Sequence, residues 1–308
     1  MINQFVSKEV ILYIIGSNKM KEFFLTAQDG FRISVALMDI EHPKGLFQIV
    51  HGSVEHKERY YPFARYLNEK GYAVILSDNR GHGASLSEKY TLGYMDGFEP
   101  IVSDLHEVNQ YISLLHPQKP LYLFGHSLGS VFARIYLEKY DSQLNKLILC
   151  GTVHYNPLTP LGVRLTRLAI SVSGERACNS ILRYFIMNGK NISWISVNQS
   201  NIAAYRADPL SGFKYPNRSV LTVMESVMEL KMVDHYQCDN PDLPILSVSG
   251  EGDPVAGGPR RTKKSFHMLR QIGYNNFENI IFEGMKHEVL NEKQHIKVYE
   301  TILKFVES

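Results

Sequence analysis

The chain has few cysteines, one tryptophan, almost no net charge and no long apolar run. Its 308 residues include only three cysteines, Cys150, Cys178 and Cys238, at no metal-like or disulfide-like spacing. So sparse and odd a count speaks against a disulfide scaffold or a cysteine-ligated metal, and for a reducing compartment. A cytoplasmic location is the expectation. A net charge of +2 excludes the strongly basic surface that nucleic-acid binding needs. The apolar run Val10-Ile11-Leu12-Tyr13-Ile14-Ile15 is too short to span a bilayer. Lys8 and Glu9 before it, with no small-residue cleavage site after it, make it a poor signal peptide.

What is present is a chain that is 44% hydrophobic and 21% charged, enough for a sizeable core. Phe23–Thr26 and Phe31–Leu37 flank Asp29-Gly30 and read as a β-hairpin. Strands Leu46–Val50, Tyr72–Ser77, Pro120–Phe124 and Lys146–Cys150 then alternate with helices around 59–69, 101–115 and 130–140. The rhythm breaks from about Thr152 to Tyr236, where helical patterns (Leu161–Ile170, Ile181–Ile186, Leu221–Met232) replace strands and the single Trp194 falls. It resumes with Leu243–Val248, a helix near 261–272, strand Asn279–Phe282 and a final helix at about 293–306. This is an α/β pattern, a mostly parallel sheet with helices on both faces. The expected division is an N-terminal extension 1–20, a core in two parts (21–151 and 237–308) and a helical insertion 152–236. The densest basic run, Arg260-Arg261-Thr262-Lys263-Lys264, reads first as a solvated helix face and second as a contact for an anionic headgroup.

Gly125-His126-Ser127-Leu128-Gly129 stands between a strand and a helix, the context of a nucleophile elbow that exposes Ser127 above the sheet. A serine hydroxyl needs a base in hydrogen-bond reach, itself oriented by a carboxylate. In such sheets these groups collect where strands end. One later strand ends in Gly250-Glu251-Gly252-Asp253-Pro254-Val255, and Asp253 is the expected acid, with Glu251 its rival. The next ends in Glu283-Gly284-Met285-Lys286-His287, placing His287 where a base belongs. His267 and His295 fall in helices and are expected on the surface. His126, inside the pentapeptide, is expected to pack, pointing away from the base. Oxyanion donors should be the backbone amides of Leu128 and of Ser53, in the loop His51-Gly52-Ser53-Val54.

With these pieces the chain resembles the α/β-hydrolase superfamily, which shares the order Ser, Asp, His. Within it, the chain is similar to the monoacylglycerol lipase and lysophospholipase-like branch, also labelled serine aminopeptidase-like. Further matches are Glu55-His56, Arg59-Tyr60, Asp78-Asn79-Arg80-Gly81-His82-Gly83-Ala84-Ser85 and His287-Glu288 through Glu292. The resemblance implies an ester hydrolase using Ser127, His287 and Asp253 through an acyl-enzyme. It implies no metal or cofactor, a small ester or lipid substrate, and residues 152–236 as a cap over the site.

Cap residues Leu158, Leu161, Leu165, Leu168, Ile181, Phe185 and Ile186 are expected either to line an acyl tunnel or to pack the cap onto the core. Arg164, Arg167, Arg176 and Arg183 offer contacts to a phosphate headgroup or to solvent. The segment Ala207-Asp208-Pro209-Leu210 is placed at the pocket floor. Transient contact with a membrane surface through the cap follows, and no oligomeric state is implied. The rivals are a thioesterase, an aminopeptidase with Glu175, Glu225 or Glu229 as its ammonium clamp, and a non-catalytic binding protein. Two departures from the family stand out. Val54 occupies a position where a second glycine is common, and the first twenty residues lie outside the pattern, as an added element or a start-site artefact before Met20.

Overall fold

The computed structural model describes residues 19–180, 182 and 192–308. The run Val10–Ile15, the pattern Ile181–Ile186 with Phe185, and Arg183 lie outside the described residues, Leu182 excepted. Eight strands form one sheet: β1 (Lys21–Thr26), β2 (Arg32–Met38), β3 (Leu46–Val50), β4 (Ala73–Ser77), β5 (Leu121–His126), β6 (Lys146–Cys150), β7 (Ile245–Gly250) and β8 (Phe277–Phe282). Their spatial order is β1-β2-β4-β3-β5-β6-β7-β8. The first two strands pair as the expected hairpin, and β2 meets β4 antiparallel. From β4 onward every pairing is parallel.

The parallel strands β3 to β7 are buried on both faces, while β8 at the edge is not, so in the buried strands period-two alternation assigns each residue to a layer. In β5, Leu121 and Leu123 join one core, while Tyr122 and Phe124 join the other. The first layer contains α2 (Glu99–Leu115), α3 (Leu128–Tyr140) and α7 (Gly258–Ile272). The second contains α1 (Tyr61–Glu69) and α8 (His295–Glu307). Between β6 and β7 the chain leaves the sheet through α4 (Thr159–Ser173), α5 (Gln199–Ala207) and α6 (Asn217–Glu229). The helix α5 lies outside the helical patterns of the sequence, because its polar composition gives little apolar period; Asn198 caps it by accepting from the Ser200 amide at 3.2 Å.

The strand order reverses at β3 and β5, which lie side by side in the sheet although β4 falls between them in sequence. The crevice beyond their carboxyl ends is the usual place for a ligand in an open α/β sheet.

Candidate active site

Ser127 follows β5 directly and takes φ +50° and ψ −117°, outside the regions open to most L-residues. Such a residue costs about 1–3 kcal/mol and persists only where its surroundings over-determine it. Here the Ser127 amide donates to the Cys150 carbonyl at 2.9 Å, and its own carbonyl accepts from the amide and hydroxyl of Ser130. A Cβ at Gly125 would enter the Gly129 backbone, and one at Gly129 would strike the carbonyls of Val50 and His51. The two glycines let the turn close against β3.

His287 and Asp253 arrive from the ends of β8 and β7, each only 3% exposed. His287 Nδ1 lies 2.9 Å from Asp253 Oδ2. The second carboxylate oxygen accepts from the Val255 amide at 2.8 Å. Burial pushes the His287 pKa down, but the charge and hydrogen bond of Asp253 outweigh it and hold the imidazole above its usual value. Burial likewise raises Asp253, and His287 with two backbone amides brings it below the ordinary carboxylate range. His287 Nε2 is buried and has no hydrogen-bond partner among the described residues. One cavity of about 110 Å³ is lined by Ser53, Ser127, Leu128 and His287 together. Glu251, the rival acid, is exposed and accepts from the Gly284 amide at 3.4 Å.

Leu128 opens α3, so its amide has no intrahelical acceptor. In the facing loop the Gly52 amide donates to Glu55 Oε1 at 2.6 Å and the Val54 amide to the Tyr215 hydroxyl at 3.1 Å. Among the described residues the Ser53 amide between them has no such acceptor. Val54, where the family commonly has glycine, does adopt a glycine-like φ of +50°. Three contacts from the β6–β7 segment grip it. They are the Tyr215 hydroxyl, the Gly212 amide at 2.8 Å on the Val54 carbonyl, and the Tyr205 hydroxyl at 3.4 Å on that same carbonyl.

A model described as "Serine aminopeptidase, S33" matches residues 41–294. The chain belongs to the serine aminopeptidase family of α/β-hydrolases. It is 23% identical over 271 residues to the monoacylglycerol lipase of Mycolicibacterium smegmatis, covering 86% of this chain and 89% of that protein. It is 25% identical over 266 residues to a probable lysophospholipase L2 of Haemophilus influenzae, covering 82% and 80%. Among solved structures, a thermostable carboxyl esterase from Bacillus coagulans superposes with a TM-score of 0.81 at 24% identity, covering 94% of this chain and 99% of that one.

Around the site of this family member runs a buried charged network of Glu55, Arg59, Tyr60 and Glu288, whose roles no local spacing reveals. Arg59 donates to Glu55 at 3.0 Å and to Glu288 at 2.5 Å, and Tyr60 donates to Glu55 at 2.7 Å. Glu55 thus fixes the Gly52 loop, while Arg59 and Asn201 anchor Glu288, the residue after His287. His51 donates from Nδ1 to the Gly52 carbonyl and accepts the Asn79 amide at Nε2, so it holds the loop. Burial, with His82 nearby, lowers its pKa to about 3.

Several expectations need correction. His126 does not point away from the base: its ring centroid lies 4.8 Å from that of His287, and it lines the same cavity. Its pKa falls to about 3 through burial and then the neighbouring His287, so it is a neutral packing surface. Leu158, just before α4, and Leu161, Leu165 and Leu168 on it line neither tunnel nor core; they are 68%, 54%, 44% and 60% exposed. The apolar lining comes instead from Val153, Trp194, Ile195, Tyr205, Val223 and Val227. Helical period marked α4 as amphipathic but could not say which side faces water. Asp208 is no pocket floor; it pairs with His56 Nε2 at 2.7 Å, tying the β6–β7 segment to the loop after β3. The clamp candidates are engaged elsewhere: Glu175 with Tyr94, Glu225 with Arg167 and Arg218, Glu229 with His235.

Proposed function

We propose that this chain is a carboxylic ester hydrolase acting on lipid esters of the monoacylglycerol or lysophospholipid class. One observation carries the reading: the partnerless Nε2 of a His287 already bound to Asp253 shares a small cavity with Ser127 and two free amides.

Nε2 takes the proton of Ser127 as Oγ attacks the ester carbonyl. The negative charge that develops on the carbonyl oxygen is met by the amides of Leu128 and Ser53, the Leu128 donor reinforced by the positive end of α3. Asp253 holds the imidazole in the required tautomer and stabilises the imidazolium. That imidazolium gives its proton to the leaving alcohol, the acyl group remains on Ser127, and water enters by the reverse sequence.

The helices between β6 and β7 form the cap. The exposed leucines of α4 supply a contact with an aggregated lipid surface, since a contiguous apolar stripe on a helix marks an interaction face. The aminopeptidase reading loses support because Glu175, Glu225 and Glu229 do not line the cavity.

A second reading, a short-chain esterase, is favoured by the size of the cavity: about 110 Å³ lies well below the range of about 300–1,000 Å³ typical for larger ligands. Hydrolysis rates on monoacylglycerols, lysophospholipids, acyl thioesters and p-nitrophenyl esters of increasing length test both. A long-chain glyceryl or lysophospholipid optimum supports lipid hydrolysis. A sharp optimum at short acyl chains supports the esterase, and a thioester preference overturns both.

A further inference from the structure

A second cavity lies apart from the one at Ser127. It encloses about 480 Å³ between the start of the β6–β7 segment, the end of α6 and helix α7. Part of its wall is apolar, from Leu230, Tyr236, Leu269 and Ile272. Another part carries the basic side chains Arg134, Arg261, Lys264 and His267, and among the described residues no aspartate or glutamate lines the cavity.

Arg134 is the unusual member. It is 4% exposed, and its hydrogen bonds go to neutral groups: the carbonyls of Ser130 at 2.9 Å and Val153 at 2.6 Å, and the Ser265 hydroxyl at 3.5 Å. It makes no ion pair among the described residues. Glu138, one turn further along α3, groups instead with Glu229 and His235. A guanidinium has five N–H donors, so three hydrogen bonds leave two uncommitted. Burial lowers its pKa to about 10, which still leaves it charged at neutral pH. A buried charge without a counter-ion is costly, and an anion in the cavity offsets that cost.

The rim completes the pattern. Arg261 and Lys264 lie three residues apart on α7, hence on one face, and both belong to the basic run singled out in the sequence. Both are exposed, and neither makes an ion pair among the described residues.

We propose that this cavity binds an anionic amphiphile, with a single carboxylate or phosphate head against Arg134, Arg261 and Lys264 and a short tail along Leu230, Leu269 and Ile272. The site is separate from Ser127 and does not depend on how Ser127 is used. It does touch the same framework: Arg134 holds the Ser130 and Val153 carbonyls, and His154 Nε2 donates to the carbonyl of Ala256, in the Asp253 loop.

Calorimetric titration of the full-length Ser127→Ala protein with octanoate, octyl phosphate and neutral octanol tests this. An octyl anion should bind at one site per chain, at least about tenfold more tightly than octanol, as a charge-assisted contact implies. The relative affinity of octanoate and octyl phosphate identifies the preferred head. The double variant Arg261→Ala/Lys264→Ala, at exposed positions that leave the core intact, should weaken both anions by about tenfold or more. Equal affinity for octanol and the anions overturns the proposal, as does anion binding unchanged in the double variant.

Discussion

The hydroxyl of Tyr215, in the segment between β6 and β7, lies 2.7 Å from Nε2 of His82, in the loop after β4. His82 Nδ1 donates to the Arg80 carbonyl, so Nε2 is the acceptor and Tyr215 the donor. The same hydroxyl accepts from the Val54 amide and the Ser53 hydroxyl. One oxygen therefore joins three segments distant in sequence, and it is one of the three contacts that clamp the left-handed backbone of Val54.

Tyr215→Phe should loosen the Ser53 loop and leave the buried Val54 amide unpaired. Losing a buried partner costs about 1–3 kcal/mol, so a fall in kcat/KM of about tenfold or more is expected on any accepted ester. The loss should appear mainly in kcat, because the amide acts on charge that develops during attack. Steady-state kinetics with a soluble ester checks this; wild-type kcat would show that the clamp does not position the loop.

Gly52→Ala should impair turnover while sparing the fold. A Cβ there would lie 2.6 Å from Glu55 Oε1 and 3.0 Å from the Ser127 Cβ, so either the loop or the serine must move. Displacing an oxyanion donor costs about 10²–10³ in kcat. Circular dichroism should be unchanged and kcat should fall by that order.

The pH profile of kcat/KM should have an acid limb governed by His287. Asp253 raises its pKa, so activity, which needs the neutral base, is present above that value and lost as pH falls through it. The limb should therefore lie above the ordinary imidazole value of about 6.5. Asp253→Asn removes the charge that raises it, so the limb should move to lower pH while kcat drops by about 10⁴. A limb that stays in place would assign it to another group.

Leu161→Glu/Leu165→Glu should separate surface contact from chemistry. Both side chains are exposed on α4 and absent from the cavity lining. Hydrolysis of an emulsified long-chain substrate should fall severalfold, and hydrolysis of a dissolved short-chain ester should not change. Equal effects on both substrates would remove the leucine stripe from the interfacial role.

The sheet was legible because its strands are short, apolar and separated by strong turn and helix signals; Leu46–Val50 and Lys146–Cys150 coincide with β3 and β6. That Ser127, Asp253 and His287 would converge was legible because each follows the end of a parallel strand, and such ends share one edge of the sheet. Residues from the β6–β7 segment were not. Tyr215 and Tyr205 reach the site through contacts with Ser53 and Val54, more than a hundred residues away in sequence, and Trp194 through its ring against that of His287, and no local spacing records such contacts. The orientation of α4 was also hidden, because an apolar stripe marks a face without naming what it meets.

The most direct measurement is reaction of the folded protein with a fluorophosphonate, followed by intact-mass and peptide mass spectrometry. One adduct per chain is expected, on Ser127, and Ser127→Ala should give none while remaining folded and losing ester hydrolysis. A folded wild-type protein that stays unlabelled, or an adduct on a residue other than Ser127, would contradict the assignment of Ser127 as nucleophile.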